Sequence, residues 1–253
     1  MCKLSFSTLR KVKKMHQNLI LEPIPSKSRL TLNIENVDGL FSGFMLGDFA
    51  VLRGSSTIQS LLSSFCVRAQ LPYQLGGLET NVLFVDGGNS FRLYDISALA
   101  QAFELDPKEV LERIYVSRAF TAYQLTSLIL EQLQNAIEQF NSKFVILSNL
   151  AQLYLDTDIP KKEAQEIFLQ LTAYLAEFAK KNHVILIATH PSRFWSEKSR
   201  FFEEVLCARA NVVAAIRKFN NRAHFVLEKH PTFKLGRAEF PSKEVTLVDY
   251  LEV

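Results

Sequence analysis

The sequence predicts an α/β fold in which a mostly parallel central sheet is flanked by helices and followed by a C-terminal antiparallel β-meander. Three observations carry that expectation. Short apolar runs alternate with helix-period segments along most of the chain. Two of the runs, at 143–147 and 183–189, are apolar at nearly every position, as strands buried on both faces must be. After residue 210 the helical patterns stop, and short strands follow one another across tight polar turns.

Taken in order, residues 48–52 read as a strand and 58–70 as a helix closed by Pro72. Asn81–Asp86 is a strand. Residues 94–103 and 107–113 are helical. The second of these opens with Asp106 as N-cap and with Pro107 at the first helical position, where a missing N–H costs nothing. A short strand at 114–116 precedes a long helix over 122–140. After the 143–147 strand, Lys161–Asn182 forms a helix, with Ile167, Leu171, Tyr174, Leu175 and Phe178 at helical spacing. The 183–189 strand is then followed by strands at 211–218, 223–228, 238–240 and 244–248, joined by turns such as Asn220-Asn221. The expected organisation is a basic N-terminal segment, 1–40, and one core domain, 41–253.

A chain of 253 residues that is 48% hydrophobic, with 20 Phe, can bury the core of one α/β domain with short appendages. The net charge of +3 is too mild to argue for nucleic acid, so any such case must be local. Cys2, Cys66 and Cys207 lie far apart without metal-ligand spacing, which points to a reducing compartment and to no metal site. No apolar run approaches the roughly 18 residues of a membrane span. The first 21 residues contain no acid and carry Lys3, Arg10, Lys11, Lys13 and Lys14, but lack the apolar core of a secretory signal. A helix over 5–20 would be basic and amphipathic. A solvated terminal helix, an arm that binds nucleic acid or a partner through Lys11, Lys13 and Lys14, and an organelle presequence all fit it.

The stretch Leu52-Arg53-Gly54-Ser55-Ser56-Thr57-Ile58-Gln59 lies between a strand and a helix, where a phosphate-binding loop belongs. Such a loop reads G-x-x-x-x-G-K-[ST]. Its backbone N–H groups cradle phosphates, its lysine reaches the β/γ oxygens and its hydroxyl holds Mg²⁺. Ile58 and Gln59 stand in those last two places. By itself the stretch reads more simply as a Gly-Ser turn between strand and helix.

Other segments overturn that simpler reading. Residues 105–120, LDPKEVLERIYVSRAF, closely resemble the "LDPDEVLxNIYVARAF" segment of archaeal RadA and its eukaryotic recombinase relatives. Residues 84–92, FVDGGNSFR, are similar to that family's "YIDTENTFRP". Residues 70–72, QLP, match the end of its "VQLP", and 145–150, VILSNL, parallel "LLIVDSL". The resemblance covers about residues 40 to 250 and implies a RecA-like P-loop ATPase core.

The departures from the family pattern are concentrated in one site. Family members have lysine and threonine where this chain has Ile58 and Gln59, and a water-activating glutamate at Gly88. They have a Mg²⁺-associated aspartate at Ser148, and the adenine-stacking arginine of "FRPER" falls on Asp95. Asp86 remains, at a strand end where a turn or capping role would serve equally. Phosphoryl transfer rests on positioning and charge neutralisation, and each lost electrostatic element costs about 10²–10³ in rate. The resemblance, read with these departures, implies a pseudo-ATPase with no catalytic residue, cofactor or metal. Its degenerate nucleotide site would comprise Gly54, Ser55, Ser56, Thr57, Ile58, Gln59, Asp86, Gly88 and Ser148. Anion binding by the backbone of 54–57 stays open. Ile58 is expected to turn inward and close the pocket, since an exposed apolar residue there gains nothing.

In the family, two loops touch single-stranded DNA. The first would lie near 155–160 here, and is short and acidic. The second would follow Thr189-His190 and reads PSRFWSEKSRFF, 191–202. Cations interleaved with aromatics suit single strands, where each stacked base contributes about 1–3 kcal/mol. The candidates are Arg193, Phe194, Trp195, Lys198 and Arg200. The competing reading is an amphipathic helix that buries Phe194, Phe201 and Leu206, or docks them on a partner. His190 matches a nucleotide-sensing glutamine and reads here as a polar strand-end residue. The family polymerises through a Phe-x-x-Ala element, which is absent from this sequence; Phe6-Ser7-Thr8-Leu9 comes nearest. Residues 1–40 are also too few for the helix-hairpin-helix domain that precedes the core in RadA.

The expectation is therefore a catalytically inactive recombinase paralogue. It would bind a recombinase or another paralogue as a hetero-oligomer, or single-stranded DNA, or both, and modulate homologous recombination and repair. An ATPase with an atypical site completed by a partner subunit, and a DNA-free scaffold, are the alternatives. The expected compartment is the cytoplasm (nucleoid-associated in a prokaryote) or the nucleus in a eukaryote, with no membrane partner.

Overall fold

The computed structural model describes residues 29–54, 57–191, 197–220 and 222–240. An eight-stranded sheet runs in the order β10-β9-β8-β3-β7-β6-β4-β5. Its strands are β3 (Phe49–Gly54), β4 (Asn81–Asp86), β5 (Ile114–Arg118), β6 (Ser142–Ser148), β7 (Ile185–Pro191), β8 (Val212–Phe219), β9 (Arg222–Lys229) and β10 (Gly236–Phe240). The six strands from β8 to β5 pair in parallel, whereas β9 and β10 are antiparallel additions at one edge. A two-stranded ribbon, β1 (Arg29–Leu30) with β2 (Phe44–Met45), packs beside the sheet. The α/β class, the parallel centre and the antiparallel C-terminal strands are those the sequence predicts; the strand expected at 244–248 lies outside the described residues.

Both faces are covered, which explains the unbroken apolar runs. In β6, Phe144 and Ile146 face one core while Val145 and Leu147 face the other; Ile185 and Ile187 alternate with Leu186 and Ala188 in β7 in the same way. The first core takes α2 (Thr57–Arg68), α3 (Leu93–Ala102) and α4 (Pro107–Glu112). The second takes α5 (Ala122–Ser127), α6 (Leu133–Gln139), α7 (Lys161–Asn182) and α8 (Glu197–Arg209). Helix α4 starts as expected: the Asp106 carboxylate accepts from the Lys108 N–H at 2.8 Å.

Three expectations need correction. The helix over 122–140 is interrupted by a π-helical turn at Leu128–Gln132, which divides α5 from α6. The packed core begins before residue 40, since Leu30, Leu32, Ile34 and Val37 are all buried in the first cluster. Within α8, Phe202 and Leu206 are buried whereas Phe201 is only partly so, one position out of phase with the amphipathic helix read from the sequence.

The segment before β2 is held by one buried charge. Arg68, at the end of α2, is only 2% exposed. It donates to the Thr31 carbonyl at 3.0 Å, the Thr31 hydroxyl at 2.8 Å and the Leu75 carbonyl at 3.2 Å. Burial lowers its pKa to about 10, while the nearby Asp38 carboxylate works in the opposite direction. Asp38, the last residue of the short helix α1 (Glu35–Asp38), folds back on the chain before that helix, accepting from the Leu32 and Ile34 N–H groups. Removing the guanidinium leaves buried acceptors unpaired and opens a cavity. Arg68→Ala is therefore expected to lower unfolding free energy by about 3 kcal/mol, read as a fall in urea midpoint at unchanged slope.

Candidate functional site

Parallel registry brings the loop-bearing ends of the central strands to one edge of the sheet. Asp86 of β4 stands beside Ser148 of β6, and Arg53 of β3 beside His190 of β7. In open α/β sheets ligands bind outside such carboxyl ends, so this edge is the place to look.

At the β3 end, Gly54 has φ +122°, and a Cβ there would lie 2.2 Å from the Ile216 carbonyl oxygen of β8. Glycine is required by that close approach as well as by the dihedral. Ser55 and Ser56 lie outside the described residues. Helix α2 begins at Thr57; Ile58 turns inward, buried in the first core. Gln59 is partly exposed, yet its Oε1 is buried without a hydrogen-bond partner among the described residues.

At the β4 end, the fully buried Asp86 carboxylate closes its own following loop. It accepts from the N–H groups of Gly88 at 3.2 Å, Ser90 at 2.9 Å and Phe91 at 3.1 Å, and from the Ser90 hydroxyl at 2.9 Å. Arg118 of β5 approaches its Oδ2 at 3.4 Å. A carboxylate oxygen pair bonded by this many donors is already occupied by its own loop. Ser148 joins the same network, its hydroxyl 2.5 Å from that of Ser90.

Gly88 faces occupied space. A Cβ there would lie 2.1 Å from Asn149 Nδ2 and 2.7 Å from Gln152 Oε1. Asn149 sits just past β6 in the left-handed region, φ +54°, and its N–H donates to the Thr189 hydroxyl at 2.9 Å. Its Oδ1 is buried and has no hydrogen-bond partner among the described residues. Sequence reading missed Ser90, Arg118, Asn149 and Gln152 as members of this cluster. Asn149 beside Ser148, and Arg118 in register with Asp86, were the signals available.

Among the other sequence-predicted positions, Asp95 is partly exposed in α3 and paired with Arg92 at 3.5 Å. His190 is buried, with Nε2 3.4 Å from the Ser199 hydroxyl and 4.0 Å from Glu203 Oε2. Arg200 is exposed on α8, and the backbone of Lys198 is helical. Arg193, Phe194, Trp195, Lys11, Lys13 and Lys14 lie outside the described residues. Among the described residues no group of three or more His, Cys, Asp or Glu is arranged to hold a metal ion. Nor is any described helix long and apolar enough to cross a membrane.

Comparison with known proteins gives this geometry its family. The model of the Rad51 family matches residues 38–213. This chain belongs to the Rad51 family. It is similar to the DNA repair and recombination protein RadA of Metallosphaera sedula, 34% identical over 135 residues, which is 49% of this chain and 40% of that relative. It is also similar to the DNA repair protein RAD51 of Mycosarcoma maydis, 31% identical over 129 residues, 49% of this chain and 38% of that protein. The RadA of Cenarchaeum symbiosum is 27% identical over 145 residues, 54% and 36% of the two chains. The matched part thus spans 36% to 40% of these curated relatives. The strand ends and loops described above lie within the matched residues of this Rad51-family core.

Two outcomes follow for this site. Gly88→Glu, which puts a carboxylate where the sequence resemblance implies one in the family, is expected to displace Asn149 and Gln152. The melting temperature should fall by several degrees, a loss of about 2 kcal/mol, with Gly88→Glu/Asn149→Ala recovering part of it. His190 should give an acid-side signature. Burial lowers its pKa from 6.5, Glu203 opposes that and Arg53 adds to it. With the folded value depressed, the unfolded chain binds more protons as the pH falls. This component of stability is complete above 6.5 and is lost as the pH drops toward the folded value. Urea midpoints across a pH series should fall on acidification in the wild type and less steeply in His190→Asn; His230, also lowered by burial, accounts for a remaining part.

Proposed function

We propose that this Rad51-family protein works by binding rather than by hydrolysing ATP, modulating homologous recombination and repair through a recombinase or paralogue partner and through single-stranded DNA. The observation that carries this reading is the filled space at Gly88. The residues present do not fit a Mg²⁺-nucleotide: Ile58 is buried in the core where a lysine would reach phosphate, and the Asp86 carboxylate is already consumed by its own loop. Asn149 and Gln152 occupy the volume a water-activating side chain would need. A site satisfied from within offers developing phosphoryl charge no partner.

A protein that acts by binding needs a surface, and β5 supplies one. Among the described residues it is the edge strand of the sheet, with Val116, Ser117 and Arg118 exposed. Next to it Phe120 is 73% and Tyr123 51% exposed. Together with Arg118, Leu128 and Gln132 they line a groove of about 520 Å³. Exposed aromatics and arginine beside an unpaired strand are what a protein contact uses. The π-helical turn at Leu128–Gln132 forms part of that groove, and such turns recur at functional sites.

The expected outcome is no ATP turnover above a buffer blank. Anisotropy of a labelled single-stranded oligonucleotide should rise equally with and without ATP and Mg²⁺, and the affinity should fall steeply with salt. Turnover abolished by Asp86→Ala would overturn the reading in favour of an atypical ATPase. Absence of oligonucleotide binding would restrict it to protein partners.

A further inference from the structure

We propose that Arg53 is a built-in latch that clamps helix α8 to the end of β3, fixing the helix without a bound ligand. Arg53 is the last residue of β3 before Gly54, the point from which a nucleotide-dependent loop would depart. Its Nη1 donates to Glu203 of α8, and its Nε donates to Glu228 of β9 at 2.6 Å. Glu228 also receives Arg217 of β8, so two arginines and two glutamates tie β3, β8, β9 and α8 together. Glu203 further lies 4.0 Å from the buried His190 of β7. The pairs are partly buried, with side-chain exposures of 28% for Arg53, 26% for Glu203 and 18% for Glu228, so solvent screens them incompletely. Burial alone would lower the Arg53 pKa, but the two carboxylates outweigh it and hold it above its ordinary value.

A second clamp acts one turn further along. Lys229 of β9 donates to the carbonyls of Cys207 at 3.2 Å and Ala208 at 2.8 Å, placing a cation at the C-terminal end of α8. Beside the two clamps Phe202 and Leu206 are buried. Cys207 faces the same cluster; burial pushes its thiol up to about 11, which keeps it protonated and unreactive. Helix α8 carries the exposed Arg200, so the latch decides where that cation is presented. Only the expectation that ATP leaves α8 unchanged rests on the proposed function.

Hydrogen exchange of the full chain, with and without ATP and Mg²⁺, tests the latch. The amides of 200–208 should be equally protected in both conditions in the wild type. In Arg53→Met they should exchange roughly tenfold faster, the loss of charge-assisted hydrogen bonds at a half-buried site. Arg53→Met/Glu203→Gln should exchange no faster than Arg53→Met, and Arg200→Ala should match the wild type. Should Arg53→Met fail to fold, Glu203→Gln alone carries the same expectation of faster local exchange. Unchanged exchange at 200–208 in these variants, additive effects in the double variant, or protection of α8 that appears only with ATP would overturn the latch. ATP-induced protection confined to 57–62 would instead overturn the inactive reading and leave the latch standing.

Discussion

Parallel pairing of β3 on both sides sets the geometry of nearly everything at the functional edge. Once Phe49–Gly54 is hydrogen-bonded between β7 and β8, Arg53 is level with His190 on one side and Ala215 on the other. Gly54 is then pressed against the Ile216 carbonyl, where any Cβ would collide. The register also commits both faces of the strand to core, because Ala50 and Leu52 point to one cluster and Phe49 and Val51 to the other. A one-residue slip would exchange the two faces and move the end of the strand away from its partners. The polar groups at the edge are therefore placed by apolar packing some residues behind them.

What those polar groups do with their position is largely to satisfy one another. A buried carboxylate is costly unless donors surround it, and the Asp86 loop supplies backbone N–H groups, a hydroxyl and a guanidinium. Ser148 and Thr189 are drawn into hydroxyl-to-hydroxyl and hydroxyl-to-backbone bonds. Donors that a phosphate-binding edge would aim outward are thus turned inward here. Two side-chain oxygens near this edge, Gln59 Oε1 and Asn149 Oδ1, are buried without a partner among the described residues, and both are acceptors. Acceptors attract cations and donors, and repel phosphate oxygens.

The sequence carried the fold where local chemistry decides it. Apolar runs at 143–147 and 183–189 announced strands buried on both faces, and Asp106-Pro107 announced a helix start that the hydrogen bond to Lys108 realises. The π-helical turn left no such trace, because Leu128–Gln132 contains neither Gly nor Pro and continues an ordinary helical pattern. The early start of the core was visible in the alternation Leu30, Leu32, Ile34, but basic composition upstream drew the boundary later. In α8, adjacent Phe201 and Phe202 both fit an apolar stripe, and the choice between them is made by packing against Tyr154 and Phe168. The departures from the family pattern that the resemblance implies could be read residue by residue. The side chains that meet there could not, since Asn149 reaches Gly88 from the end of the neighbouring strand and Glu203 reaches Arg53 from 150 residues away.

The same long-range pairing bears on how the chain's cations should be counted. Salt-dependent nucleic-acid binding depends on Lys and Arg that can exchange counterions for phosphates. Arg53, Arg118, Arg217 and Arg222 each meet a protein carboxylate, at Glu203 and Glu228, Asp86, Glu228 and Glu239 respectively. Moving any of them onto phosphate would take an ion pair from its carboxylate, and the partly buried ones would cost most. A basic residue count in this core therefore overstates its affinity for a polyanion. The aromatic rim of β5 carries no such penalty: Phe120 and Tyr123 are already exposed, and covering them removes apolar area from water without breaking an ion pair. On the binding role proposed above, a protein at the β5 edge would cost the ion pairs of this core nothing, whereas nucleic acid would draw on cations that have no carboxylate to lose.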